Sequence, residues 1–188
     1  MSDSPARQIE IVFSGQGGQG VRLVSTLLGR ACATAGKQVA SSASYGPEVR
    51  GSHTRSEVIV SDALIVYPRV LHPTILVALS QEGYNRAYAE VPADGCILYE
   101  AEAVTPAAGV AAQQFPISAI RIASELGDAG SANMVMLGAV AALAELIDLH
   151  ALLAALPAGR RTQNEAALRR GYALGAELRR QTAQPNTV

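Results

Sequence analysis

From Ile9 onward the chain alternates short apolar runs with longer segments whose apolar residues recur every three or four positions, the pattern of strands alternating with helices. Ile9 to Phe13 reads as a strand that runs directly into Ser14-Gly15-Gln16-Gly17-Gly18-Gln19-Gly20-Val21. That glycine turn opens a helix expected over about 18–36, with Val21, Val24, Leu28, Cys32 and Ala35 on its buried face. Short strands are expected at 39–43 and 55–60. The unbroken apolar run 74–79 is of the kind covered on both faces of a sheet. Ser80 is placed to cap a helix that continues to about 89. Strands at 96–99 and 113–116 precede a helical half from about 118. The apolar run 134–147 falls short of the ~20 residues that span a bilayer, so it reads as a buried helix. Its Gly138, Ala139, Ala141, Ala142 and Ala144 would admit another backbone, from this domain or from a partner chain. Thr162-Gln163-Asn164-Glu165 matches the capping box and would start the last helix, with Leu168, Tyr172, Gly175 and Leu178 as its packing stripe.

This order of elements predicts one α/β domain over 9–180, three-layered and Rossmann-like, with a mostly parallel sheet flanked by helices and tails at 1–8 and 181–188. Composition supports a packed core, since 49% of the 188 residues are hydrophobic and 16% charged. A formal net charge of −1 and sparse aromatics argue against nucleic acid as a partner. Met1 to Arg7 contain no apolar leader core, which points to a cytoplasmic protein. Cys32 is expected inside the first helix and Cys96 near a strand start, as buried thiols. With no Cys-x-x-Cys, the chain by itself lacks the usual four thiolates of an iron–sulfur cluster. His53, His72 and His150 lack metal-ligand spacing, so no metal site is expected and satisfied or solvent-facing imidazoles are. No Gly-x-Ser-x-Gly elbow is present.

Candidate chemistry concentrates at two loops. The amides of a glycine turn that opens a helix, with the helix dipole behind them, favour phosphate or carboxylate. This makes Gly15, Gly17, Gly18 and Gly20 candidates for an anion approach. Gly15-x-Gly17-x-x-Gly20 also fits the dinucleotide fingerprint. The carboxylate that grips ribose in such sites is missing, because the window Lys37-Gln38-Val39-Ala40-Ser41-Ser42-Ala43-Ser44 holds no Asp or Glu. The Walker lysine is missing too, since Val21 and Arg22 follow Gly20. The second loop, Ser44-Tyr45-Gly46-Pro47-Glu48-Val49-Arg50-Gly51-Ser52-His53-Thr54-Arg55, should leave the second strand on the same edge of the sheet. Gly46-Pro47 and Gly51-Ser52 are turn chemistry that shapes the loop around Tyr45, Glu48 and Arg50. Arg50 can fork onto a phosphate or carboxylate, with Glu48 orienting it, or the two can form an ordinary surface pair.

Taken in order, these two loops, then Ser61-Asp62, Ala78-Leu79-Ser80-Gln81-Glu82, Asn133-Met134 and Asn164-x-x-Ala167-x-x-x-Gly171-Tyr172, resemble the gamma subunit of 2-oxoacid:ferredoxin oxidoreductases of the pyruvate, 2-oxoglutarate, indolepyruvate and phenylglyoxylate type. The chain departs from the commonest family pattern at Ser52, where a second glycine often follows Arg-Gly, and at His53-Thr54-Arg55. The resemblance implies one subunit of an enzyme that oxidatively decarboxylates a 2-oxoacid to an acyl-coenzyme A and CO2, passing electrons to ferredoxin or a related acceptor. It implies companion alpha, beta and ferredoxin-like subunits, and in some forms a flavin subunit linked to NAD. Thiamine diphosphate, magnesium and iron–sulfur clusters would reside on those companions, and coenzyme A would be a shared substrate. Arg50 and Glu48 would then be candidates at a composite active site, with Tyr45 and the four glycines toward coenzyme A. Two other readings stay open: an architectural assembly subunit, and a stand-alone nucleotide-binding dehydrogenase.

Overall fold

The computed structural model describes residues 7–45, the last as backbone only, and 52–183. Among the described residues six strands form one sheet: β1 (Gln8–Gln16), β2 (Gln38–Tyr45), β3 (His53–Ser61), β4 (Ile75–Ala78), β5 (Cys96–Glu100) and β6 (Gln113–Ile117). The helices are α1 (Val21–Thr34), α2 (Gln81–Ala87), α3 (Ala119–Glu125), α4 (Ala132–Leu143), α5 (Leu149–Ala154) and α6 (Arg161–Ala183), with 3-10 turns at Tyr88–Glu90 and Ala129–Ser131. The strand order is β2-β3-β1-β4-β5-β6.

Loop length sets strand direction. β1 reaches β2 through α1, long enough for a parallel crossover, whereas residues 46–52 between β2 and β3 are too few for one. The chain therefore reverses, and β3 inserts antiparallel between β2 and β1. β4, β5 and β6 continue parallel to β1, so the expected mostly parallel sheet holds with β3 as its one reversed strand among those described.

Two cores cover the central strands. On one face Ile11 and Phe13 of β1, Val58 and Val60 of β3 and Val77 of β4 pack under α1 and α4. On the other, Val12, Leu76, Ala78, Ile97 and Tyr99 pack under Tyr84 and Ala87 of α2. Burial on both faces explains the unbroken apolar run read in β4, and each such side chain is worth about 1.5–3 kcal/mol. β2 breaks this pattern: Ser41, Ser42, Ala43 and Ser44 are all exposed.

α1 is shorter than expected. Gly20, in the left-handed region at φ 75°, starts it, and Ala35 lies beyond its end and is exposed, leaving Val21, Val24, Leu28 and Cys32 as the buried stripe. Ser80 caps α2 as expected, its Oγ accepting from the Gly83 amide at 3.1 Å. The capping box at Thr162 is a misreading. α6 already begins at Arg161, so Thr162 lies in the first turn; the chain enters through Arg160 at φ 53°, and the Arg161 guanidinium donates to the Leu153 and Leu156 carbonyls. The small residues of α4 serve the chain's own fold. Gly138 faces the α6 backbone at Leu168 and Tyr172, while Gly171 and Gly175 of α6 face the α4 backbone at Val135 and Ala139.

Candidate functional site

β1 and β4 are neighbours whose chains leave in opposite directions, β1 into α1 on one face and β4 into α2 on the other. A crevice outside the carboxyl ends of such strands is where open α/β sheets bind ligands. Here it is a cavity of about 280 Å³ lined by Gly18 and Gln19 after β1, Leu79 after β4, Glu100 at the end of β5, Ile120 of α3, Gly130 of the 3-10 turn before α4, and Asn133 at the start of α4.

The glycines divide by task. A Cβ on Gly15 would sit 2.6 Å from Gln19 Oε1 and 3.1 Å from Leu79 Cβ, so Gly15 allows the loop to close on the sheet. The loop is tied by its own groups: the Gln16 amide donates to Gln19 Oε1 at 2.7 Å, Gln19 Nε2 to the Leu79 carbonyl at 2.8 Å, and the Gln19 amide to the Gln16 carbonyl at 3.1 Å. The Gly17 amide is spent on the Ser52 carbonyl at 2.9 Å. Gly18, at φ 98°, has nothing within 4 Å of where its Cβ would be and faces the cavity. The amides of Val21, Arg22 and Leu23 are those that helix geometry leaves without intrahelical partners.

Against this turn, over Gly20, packs Asn133, 9% exposed, at the first turn of α4. Its Nδ2 donates to the Gln19 carbonyl at 3.2 Å, and its buried Oδ1 has no partner. A buried amide oxygen left alone costs on the order of 1–3 kcal/mol, so it marks a place where a donor is wanted. Glu100, 1% exposed, closes the far side. Its two oxygens accept from the Glu102 amide at 3.2 Å and the Ile120 amide at 3.0 Å, which caps α3 from the end of β5. Burial pushes its pKa above the usual carboxylate value, while those amides hold it down. The cavity thus brings together the Gly18–Gln19 turn before α1, the first turn of α4 and one buried carboxylate.

Tyr45 ends β2 on the same edge, opposite Thr54 of β3, as the loop reading expected of that segment. Its side chain, with Glu48 and Arg50, lies outside the described residues. The structure adds a contact that spacing could not show: Ser14 Oγ and His53 Nε2 share a hydrogen bond of 2.9 Å, joining the ends of β1 and β3. His53 is therefore half-buried and partnered rather than solvent-facing. Burial first, then the nearby Arg86 charge, lower its pKa below the ordinary value. Asn133 was visible only as part of a motif, and Glu100 carried no signal, because each gains its meaning from chain segments far away in sequence. Among the described residues no group of three His, Cys, Asp or Glu side chains could hold a metal ion, and no helix is long and apolar enough to cross a membrane.

The family model of pyruvate ferredoxin/flavodoxin oxidoreductase matches residues 10–174. The 2-oxoglutarate synthase subunit KorC of Methanocaldococcus jannaschii is 37% identical over 179 residues, covering 90% of this chain and 95% of that one. The crystal structure of a keto/oxoacid ferredoxin oxidoreductase gamma subunit from Geobacter sulfurreducens superposes with TM-score 0.79 at 32% identity, covering 90% of this chain and 99% of that one. A 2-oxoglutarate:ferredoxin oxidoreductase from Magnetococcus marinus, solved with 2-oxoglutarate, coenzyme A and succinyl-CoA bound, shares the fold at TM-score 0.83 and 21% identity, over 91% of this chain and 31% of that longer one. With the family model spanning most of its length and a full-length relative well above 30% identity, the chain belongs to the pyruvate ferredoxin/flavodoxin oxidoreductase family, as a gamma subunit of a multisubunit 2-oxoacid:ferredoxin oxidoreductase.

Proposed function

We propose that this subunit holds the nucleotide end of coenzyme A in the cavity between the glycine loop and α4, and presents its thiol to an acyl group generated on a companion subunit. The observation that carries this is the pairing of an unpartnered, buried Asn133 Oδ1 with the open Gly18 side of a helix N-terminus. Oδ1 wants a donor, as the exocyclic amine of adenine supplies, and the α1 amides want the phosphates. Glu100 at the far end disfavours the reverse orientation, which would set phosphate beside a buried carboxylate. The volume of about 280 Å³ lies just below the range of small-molecule pockets, about 300–1,000 Å³, and suits one end of coenzyme A rather than all of it. Arg50 and Glu48, with Tyr45, extend the proposal toward the composite active site, where a fixed guanidinium would position phosphate or substrate carboxylate.

Thiamine diphosphate and its magnesium do not suit this cavity: Glu100 is the one carboxylate among its lining residues, and both of its oxygens already cap main-chain amides. These groups, the iron–sulfur clusters and the electron acceptor, ferredoxin or a flavin subunit, are assigned to companion chains in the cytoplasm. Among 2-oxoacids, 2-oxoglutarate heads the substrate panel, because KorC relatives match over nearly their full length.

The test is calorimetric titration of the assembled enzyme with coenzyme A and, separately, pantetheine, which lacks the nucleotide. Coenzyme A should bind at least about tenfold more tightly, and Asn133→Ala should erase most of that difference while leaving pantetheine unchanged. Equal affinity for the two ligands in the native enzyme sinks the reading.

A further inference from the structure

We propose that β2 is an assembly edge that takes the β2 strand of a second copy of this chain, antiparallel, to make one continuous sheet. The reading does not rest on the coenzyme A cavity, which lies at the ends of β1, β4 and β5; Tyr45, at the end of β2, is the residue the two proposals share.

The two edges of this sheet are treated unequally. β6 is five residues long and carries Pro116, which has no amide to offer a neighbouring strand. β2 is eight residues long and pairs one-to-one with β3 from Gln38↔Ser61 to Tyr45↔Thr54, without a bulge. Its residues, Gln38-Val39-Ala40-Ser41-Ser42-Ala43-Ser44-Tyr45, include neither proline nor any charge. Long, regular and uncharged edges are the ones that accept another strand, and natural proteins blunt those that must stay single. Among the described residues none blunts this one, and Ser41 to Ser44 are all exposed.

The chemistry of the strand also selects its occupant. A two-fold axis perpendicular to the sheet and centred on Ser42 sets Ser42 against Ser42 of the second copy, Ser41 against its Ala43, and Ala40 against its Ser44. Every such pair is small, none places like charges face to face, and hydroxyl pairs can hydrogen-bond across the seam. The contact is isologous and closed, giving a dimer rather than a filament. The charged groups behind the strand are held in hydrogen bonds: Glu57 accepts from Ser42 Oγ at 3.1 Å and from Arg55 Nε at 2.9 Å, while Arg55 forks onto Glu90 at 2.8 and 2.9 Å. A strand with charged side chains would gain nothing from this edge, whereas β2 itself meets its demands on both faces.

Sedimentation of the purified full-length chain over a concentration series tests the pairing, with hydrogen exchange of the β2 amides followed on dilution. The native chain should dimerise with protection of 38–45, and Ser42→Lys should raise the dissociation constant at least about tenfold while circular dichroism stays native. Leu64→Lys, in the exposed apolar connection after β3, should leave the dimer intact. A chain that stays monomeric throughout, or a dimer abolished by Leu64→Lys and untouched by Ser42→Lys, overturns the proposal.

Discussion

Asn133 reaches across 114 positions of sequence to the glycine loop, its Nδ2 donating to the Gln19 carbonyl at 3.2 Å and lying where a Cβ on Gly20 would have to be. The start of α4 and the turn before α1 are thereby held as one wall of the cavity. Gly20 is required twice over, by its left-handed backbone at φ 75° and by the amide packed on its Cα. Gly20→Ala should cost about 1–3 kcal/mol in urea unfolding and weaken coenzyme A binding, because the displaced Asn133 can no longer hold the wall. Gly18→Ala should cost less, since φ 98° is strained for alanine but its Cβ meets nothing within 4 Å.

The α4–α6 interface depends on three glycines packed against backbone. A Cβ on Gly171 would overlap the Val135 carbonyl, and one on Gly138 would overlap the Leu168 carbonyl and lie 2.6 Å from the Tyr172 amide. Backbone at a helix interface yields only by moving the helix. Gly171→Ala and Gly138→Ala should each destabilise by about 1–3 kcal/mol and lower the calorimetric melting temperature by several degrees, about 2–4 °C per kcal/mol.

His53 makes stability fall with acid. Its native pKa lies below the ordinary imidazole value of 6.5, owing first to burial and then to Arg86, with Glu82 opposing and Arg55 adding. Below pH 6.5 an unfolded chain takes up a proton that the native imidazole refuses until its own lower pKa. Stability present above pH 6.5 is therefore lost as pH falls through that window. Urea midpoints between about pH 7.5 and pH 5.5 should fall more for the native chain than for His53→Gln, which lacks the titration. Parallel profiles would show that His53 does not set this dependence.

Both cysteines should be silent. Burial pushes the thiols of Cys32 and Cys96 up to about 11, and both are free. With little thiolate at neutral pH, iodoacetamide or an aromatic disulfide should label neither at an appreciable rate in the native chain and both after denaturation. Rapid native labelling of Cys96, the less buried of the two, would show that β5 opens locally.

Local signals carried the architecture. The apolar run 74–79, the cap at Ser80 and the turn at Gly20 each state a backbone preference within a few residues, and each appears in the fold with shifts of one to three positions. The capping box at Thr162 failed because a four-residue match says nothing of where the chain comes from. The entry through Arg160 at positive φ, and the Arg161 contacts to α5 and the residues after it, decide the first turn instead. Asn133 was legible as part of an ordered set of motifs, while its role rests on a contact with Gln19 that no window of sequence contains.

Hydrophobic period, turn chemistry and motif order are properties of neighbouring residues, so the chain's sequence by itself determined an α/β domain, a glycine loop at a strand end and membership of an oxidoreductase family. Tertiary structure decided the reversal of β3, the division of labour among the four glycines, the Ser14–His53 bond and the cavity between Gly18, Glu100 and Asn133. Each of these joins groups brought together by sheet order and helix packing. An atom's burial and partners exist only once distant segments have closed around it.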